Sequence, residues 1–512
     1  MKEDKSKTNQ YSAPISDAMD NYARDGALAF HTPGHKQGLG AHPLLKRLIT
    51  AEGLRQEVSL MEELDDLHSP TGCIKEAEAL AADLWGAKRS LFMINGTTGA
   101  IHAMMVGTLQ PGDKVLVPRN AHSSILGGLV LSGAVPVYIQ PEIIVALGIA
   151  GVLTVEAVQQ AVENNPDAKA MIAVYPTYYG MAGDLEKMAE ILHAHNMLLL
   201  VDEAHGAHLK FAEHQQTMPR QALDLGADVV AQSTHKVLGS LTQTSMLHIG
   251  SARVSCDGII KAAAMLQSTS PNQLMLASLD IARLQMATEG IARMEQAVGL
   301  SQWLREEINK IDGLYCVGDE ILENTGVVGL DSTRITVNLT GIGISGLKAE
   351  NILRHEYKVQ CELSDNSNLL FIISMADTKT TVQRLLDALR FMTKKYGNGQ
   401  STITAIPQEL FSANKVVITP RQAFFSQQES VEFVHSAGRI AGETVTFYPP
   451  GVPVLCPGEL ITQETIAAVK KQQNAGMRVV GPADSTLENI RVVRNYPSPL
   501  GRGGELCSTD EV

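Results

Sequence analysis

Residues 197–208 read MLLLVDEAHGAH, an apolar run that breaks off into two acids and two imidazoles set among small residues. Five consecutive apolar residues without alternation describe a strand buried on both faces, as in parallel sheets. A carboxylate directly after such a run, at Asp202, sits where an unpaired charge is costly, so it requires a cationic partner. That partner is either a protein cation, such as Lys236 or an arginine, or a cation on a ligand, for instance a protonated pyridine nitrogen.

The same arrangement recurs on both sides of this stretch. SLFMI (90–94) precedes NGTTGAIHAMMVGTL, KVLVP (114–118) precedes RNAHSSILGGLVLSG, and AMIAVYP (170–176) and DVVAQSTHK (228–236) follow the same plan. Short apolar strands alternating with helix-like stretches, from about residue 85 to 250, predict an α/β fold with a mostly parallel sheet. In each repeat the polar residues come straight after the apolar run. They therefore collect at the carboxyl ends of strands, where open α/β sheets bind ligands.

After about residue 275, long helical patterns lead into a smaller α+β region holding TRITVNLT and NLLFIISM. KKYGNGQSTITAIPQ (394–408) reads as a linker to a Pro-rich segment with TPRQAFFS (419–426) and FYPPGVPVLCPGE (447–459). The expected organisation is an N-terminal arm (1–40), a large domain (41–300), a small α+β domain (301–395), a C-terminal domain (396–495) and a disordered tail (496–512).

Composition narrows the function classes. A chain of 512 residues exceeds one ordinary core, and 44% hydrophobic with 19% charged residues describes a globular protein with much to bury. No apolar run approaches the roughly 18 residues of a membrane span, and the opening MKEDKSKTNQ lacks the apolar centre of a secretory signal. A net charge of −13 disfavours nucleic acid as main partner and suits a small cationic one. Cys73, Cys256, Cys316, Cys361, Cys456 and Cys507 form no CxxC pair, so neither a disulfide framework nor a thiolate metal site is indicated, and a reducing cytoplasm is the expected setting.

Three patterns invite other readings. DEAH (202–205) is spelled like a helicase box, but the phosphate loop that such chemistry needs is absent from the sequence. GIGISG (341–346) matches a dinucleotide fingerprint, yet Glu362 falls too soon after it, and a strand-to-helix turn of the small domain is expected instead. In HTPGH the Pro-Gly between His31 and His35 keeps them off one helix face, and His205 and His208 lie in a strand-to-loop passage, so no metal is expected.

The residues that carry chemistry sit at successive strand ends. NGTTGA (95–100) offers backbone N–H groups at a helix start, with the Thr97 and Thr98 hydroxyls, which suits a phosphate and equally an ordinary helix cap. His122 is either a satisfied core histidine or an imidazole stacked on a planar ligand. Lys236, shielded from water at the end of its strand, becomes a nucleophile toward an aldehyde, with Ser233 and His235 as further phosphate donors. A phosphate cradle, a stacking imidazole, a buried carboxylate and a Schiff-base lysine on one sheet describe a pyridoxal 5'-phosphate site.

On HTPGHKQG (31–38), LDDLHSPTGCI (64–74), NGTTGA, RNAHSS, DEAHGAH, STHKVLGSLTQ, TSPNQLMLASLD (269–280) and YPPGVPVLCPGE, the chain resembles the bacterial ornithine/lysine/arginine decarboxylases. It is similar to their shorter subgroup, without the N-terminal wing domain. The resemblance implies the aspartate-aminotransferase-like fold (fold type I) and decarboxylation of a basic L-amino acid. It implies pyridoxal phosphate attached to Lys236, Asp202 on the pyridine nitrogen and His122 on the ring face, with Ala204 and His205 on the opposite side. Gly96, Thr97, Thr98, Ser233 and His235 surround the phosphate. The family's minimal unit is a dimer, in which Thr269 and Ser270 complete a neighbour's site. The chain departs from the family pattern at Ser123, where lysine is common, and at Gln273, where tyrosine is.

Glu362, Asp365 and Glu443 are candidates to meet a cationic substrate side chain. The rivals are transamination, for which Arg334 is the nearest carboxylate clamp, and a catalytically silent cofactor-binding protein.

Overall fold

The computed structural model describes residues 9–215, 218–397, 414–448, 452–474 and 477–494. The linker at 394–408 lies mostly, and the tail at 496–512 wholly, outside these. By its contacts the chain divides into two compact units, one of residues 1–108, 174–176 and 198–297, the other of 109–173, 177–197 and 298–512.

The α/β expectation holds. Strands β1 (Arg89–Met93), β2 (Lys114–Pro118), β3 (Val135–Ile139), β4 (Ala170–Val174), β5 (Leu198–Asp202), β6 (Val229–Gln232) and β7 (Ser245–Ile249) form one sheet in the order β1-β7-β6-β5-β4-β2-β3. The β2–β3, β2–β4 and β5–β6 pairings are parallel, whereas β7 runs antiparallel to both β1 and β6. Strands β1, β5 and β6 of the first unit therefore point the same way, and their carboxyl ends share an edge with the amino end of β7.

In the first unit, the wholly buried Trp85 meets Phe211 edge-on at 5.4 Å and stacks on His248 at 5.6 Å. The second unit contains a four-stranded antiparallel sheet, in which Arg334–Asn338 pairs with Asn368–Ile372 in the positions expected for TRITVNLT and NLLFIISM. GIGISG is the expected turn into the helix Gly346–Ile352. A Cβ at Gly346 would stand 2.3 Å from Asp365 O and 2.4 Å from Asn368 O, so close backbone approach, not a nucleotide, requires that glycine. Among the described residues no helix is long and apolar enough to cross a membrane.

Candidate active site

The helix Gly96–Thr108 begins where β1 ends, after a left-handed Gly96 (φ 68°) that reverses the chain. Gly96 N–H donates to Gln243 O at 2.8 Å and Gly99 N–H to Asn95 O at 3.1 Å, so the N–H groups of the turn that suit an anion are those of Thr97 and Thr98. Thr97 is buried and Thr98 exposed. Thr97 Oγ1 hydrogen-bonds Ser233 Oγ, at the end of β6, and lies 2.9 Å from Ser245 Oγ, which donates to Gln232 O at 2.5 Å. Three hydroxyls from three elements thus meet at one sheet edge. Ser245 was not legible as a site residue because it opens the one reversed strand, opposite Met93.

Lys236 lies in the short helix Thr234–Val237, and its Nζ is 3.0 Å from His205 Nε2. One expectation is corrected here: Lys236 is exposed in the single chain, not shielded from water. The helix lifts it off the strand end, so its contact is polar rather than an apolar enclosure. His235 donates from Nδ1 to Thr244 O at 2.6 Å, which leaves the lone pair on Nε2 of the neutral ring; only the imidazolium would be a phosphate donor from that nitrogen. Asp202 ends β5, is 5% exposed, and accepts from Ala204 N–H at 3.1 Å.

Behind this edge runs a buried polar chain that sequence reading did not single out. Gln232 donates to Glu203 (2.6 Å) and lies 3.1 Å from His248 Nε2, while His248 Nδ1 lies 2.7 Å from Ser90 Oγ. Burial pushes the Glu203 carboxyl up to about 8, against the hydrogen bonds from Gln232 and Ala222 N–H, and pushes His248 down to about 3.

The second unit holds the remaining candidates. His122 caps the helix Ser123–Ser132. Three residues earlier, the wholly buried Arg119 makes a bidentate ion pair with Glu459 and donates to Val454 O at 2.8 Å. Cys456 N–H donates to the same carboxylate at 2.8 Å. Asp365, 4% exposed, accepts from Ser367 and Asn368 N–H (both 2.7 Å) and from Tyr179 OH (2.9 Å). Glu443 accepts from Ala483 N–H (2.9 Å) and Arg491 N–H (2.8 Å). Both are occupied by the chain itself. Glu362 is exposed, accepts from Tyr178 OH at 2.7 Å and lines a cavity of about 400 Å³ with Cys361, Asp377 and Thr381. Arg334 is wholly buried against Asp331 (3.4 Å), a poor position for a substrate clamp. Thr269 and Ser270 are exposed, and Gln273 is buried at the start of the helix Gln273–Ile308.

Within the first unit, hydroxyls at a helix start, a buried carboxylate and an amine at neighbouring strand ends match the phosphate, the ring nitrogen and the aldehyde of pyridoxal phosphate in donor chemistry. A sequence profile described as Orn/Lys/Arg decarboxylase, major domain, matches residues 13–335, and that of the family's C-terminal domain matches 404–475. The chain belongs to the Orn/Lys/Arg decarboxylase family. Among its relatives, an arginine decarboxylase of Bacillus anthracis is 39% identical over 488 residues, covering 95% of this chain and 98% of the relative. The lysine decarboxylase LdcA of Pseudomonas aeruginosa is 26% identical over 88% of this chain and 74% of its own length. The crystal structure of the Francisella novicida lysine decarboxylase LdcF matches with a TM-score of 0.81 at 21% identity, covering 94% of this chain and 81% of that one. That likeness places the family member in the same fold.

Proposed function

We propose that the protein decarboxylates a basic L-amino acid, arginine or lysine and also ornithine in principle, to CO2 and the corresponding amine, with pyridoxal 5'-phosphate as cofactor. The observation that carries this reading is the shared edge of the first unit, where Lys236 meets His205 beside Asp202 and the Thr97–Ser233–Ser245 hydroxyls. The cofactor, when bound, supplies an electron sink for the bond that breaks to CO2.

The chain's own groups do the rest. The hydroxyls and first-turn N–H groups bind a phosphate dianion through charge-assisted hydrogen bonds. Asp202, buried at the end of β5, would hold the proton of the cofactor's ring nitrogen. His205 Nε2 accepts a hydrogen bond from Lys236 Nζ and so orients the nitrogen that would join the aldehyde. By the family correspondence, His122 and Ala204 would be the residues that contact the ring. Of the three acidic candidates, Glu362 retains an accessible carboxylate for a cationic side chain.

A homodimer is part of the reading. Leu28, Phe30, Leu39 and Leu48 are 80%, 92%, 82% and 79% exposed, more apolar surface on one short segment than a lone chain leaves bare. The five described cysteines are free thiols, in keeping with a reducing cytoplasm.

Borohydride reduction after incubation with pyridoxal phosphate tests the assignment. Wild type should gain one covalently fixed cofactor on the peptide containing Lys236, and Lys236→Ala none; equal labelling of both proteins would refute it.

A further inference from the structure

β1 is the outermost strand of its sheet, and its ladder with β7 ends at Met93, opposite Ser245. Its other side pairs with no strand of that sheet, although Phe92 and Ile94 are both buried. Buried backbone groups on such an edge need partners from elsewhere. Side chains supply them here. Glu78 accepts from Phe92 N–H at 2.9 Å, and Gln267 Oε1 accepts from Ile94 N–H at 2.8 Å while its Nε2 donates to Phe92 O at 3.4 Å. The Gln267 carboxamide, with one acceptor and one donor on the strand, stands in for a peptide group of a missing neighbour.

The hold continues into the turn that follows. Gln243 Nε2 donates to Ile94 O at 2.8 Å, and Gly96 N–H donates to Gln243 O at 2.8 Å. Asn95 Nδ2 donates to Leu266 O at 2.9 Å, one residue before Gln267. Ile94 thus has one glutamine side chain on its N–H and another on its carbonyl, directly before the turn that sets the Thr97 and Thr98 N–H groups and the Thr97 hydroxyl.

We propose that Gln267 is a positioning residue for the phosphate-binding turn. It acts through the backbone of β1: by completing the open edge it fixes Ile94, and with Ile94 the donors of Thr97 and Thr98. The inference rests on the decarboxylase reading, in which this turn receives the cofactor phosphate. Gln267 is 9% exposed, so water competes little for either end of its carboxamide.

The first measurement is hydrogen exchange on wild type, which needs no variant. The Ile94 amide should exchange at least about a hundredfold more slowly than an unpaired one, despite lying on an open edge. The second compares pyridoxal phosphate with pyridoxal, which has the same ring and aldehyde but no phosphate. Gln267→Met keeps the length of the side chain and removes both bonds. It should raise the dissociation constant of pyridoxal phosphate about five- to tenfold, the scale of one hydrogen bond, and leave that of pyridoxal within about twofold. Equal losses for both ligands would make Gln267 a structural residue only, and an unchanged pyridoxal phosphate affinity would overturn the proposal as well. An Ile94 amide that exchanges freely in wild type overturns it even if the variant does not fold. Wild type that takes up neither ligand counts against the decarboxylase reading, and the Ile94 exchange then still decides whether Gln267 holds the edge.

Discussion

Lys236 Nζ and His205 Nε2 are 3.0 Å apart, delivered by the ends of the adjacent parallel strands β6 and β5. An ammonium at Lys236 has only hydrogens to give, so the imidazole is its acceptor. Replacing His205 by phenylalanine keeps the bulk and removes that acceptor. We expect a loss of about a hundredfold in kcat, the scale of a lost acid–base partner, with borohydride labelling of Lys236 retained but slowed at neutral pH. Unchanged kcat and labelling rate would show that His205 is only a neighbour.

The node at Arg119 predicts a different result. Glu459→Ala leaves a wholly buried guanidinium without its carboxylate, and unfolding should cost about 3–5 kcal/mol less. The double variant Arg119→Met with Glu459→Leu replaces the pair by apolar groups and should recover most of that loss. Urea denaturation of the three proteins checks both statements, and a double variant as unstable as the single one would contradict them.

Glu78 gives a pH signature. Desolvation raises its carboxyl to about 8, against a hydrogen bond from Phe92 N–H. Between the unfolded value near 4.5 and about 8 the folded protein holds a proton that the unfolded chain has released, so stability falls as pH rises through this window. Glu203 acts in the same direction, whereas His248, held neutral down to about 3, has the opposite slope only below about 6.5. From pH 6.5 to 8 Glu78→Gln should therefore lose less stability than wild type, by about 2 kcal/mol. Parallel denaturation profiles across that range would show that the carboxyl is not raised.

The three acidic candidates should separate by phenotype. Asp365→Asn disturbs a buried turn held by four donors, so it should lower Tm. Glu362→Gln should leave Tm unchanged and raise the KM of the preferred basic amino acid several-fold. Steady-state kinetics beside a thermal melt distinguishes them, and an unaltered KM would remove Glu362 from the substrate site.

Much of this was legible because an apolar run followed at once by a polar residue has a single structural meaning in a parallel sheet. Asp202, Ser233 and Thr97 could be placed that way, and the strands at 114–118 and 198–202 fall where the apolar runs put them. Ser245 escaped because its strand is reversed, which brings its first residue rather than its last to the ligand edge. Arg119 and Glu459 are 340 positions apart, and no local pattern pairs them. Lys236 was expected to be shielded, but a single turn of helix carries it clear of the strand, a displacement that periodicity does not reveal. Asp365 and Glu443 looked available in the sequence because their partners are mostly backbone N–H groups, which leave no mark in composition.

The most direct test of the central claim is product analysis. The purified protein, loaded with pyridoxal phosphate, is given L-arginine, L-lysine and L-ornithine in separate reactions, and CO2, amine and keto acid are measured. Equal amounts of CO2 and the matching amine are expected from at least one of the three, with no turnover by Lys236→Ala. A keto acid in place of CO2, or no product from any of the three, would contradict it.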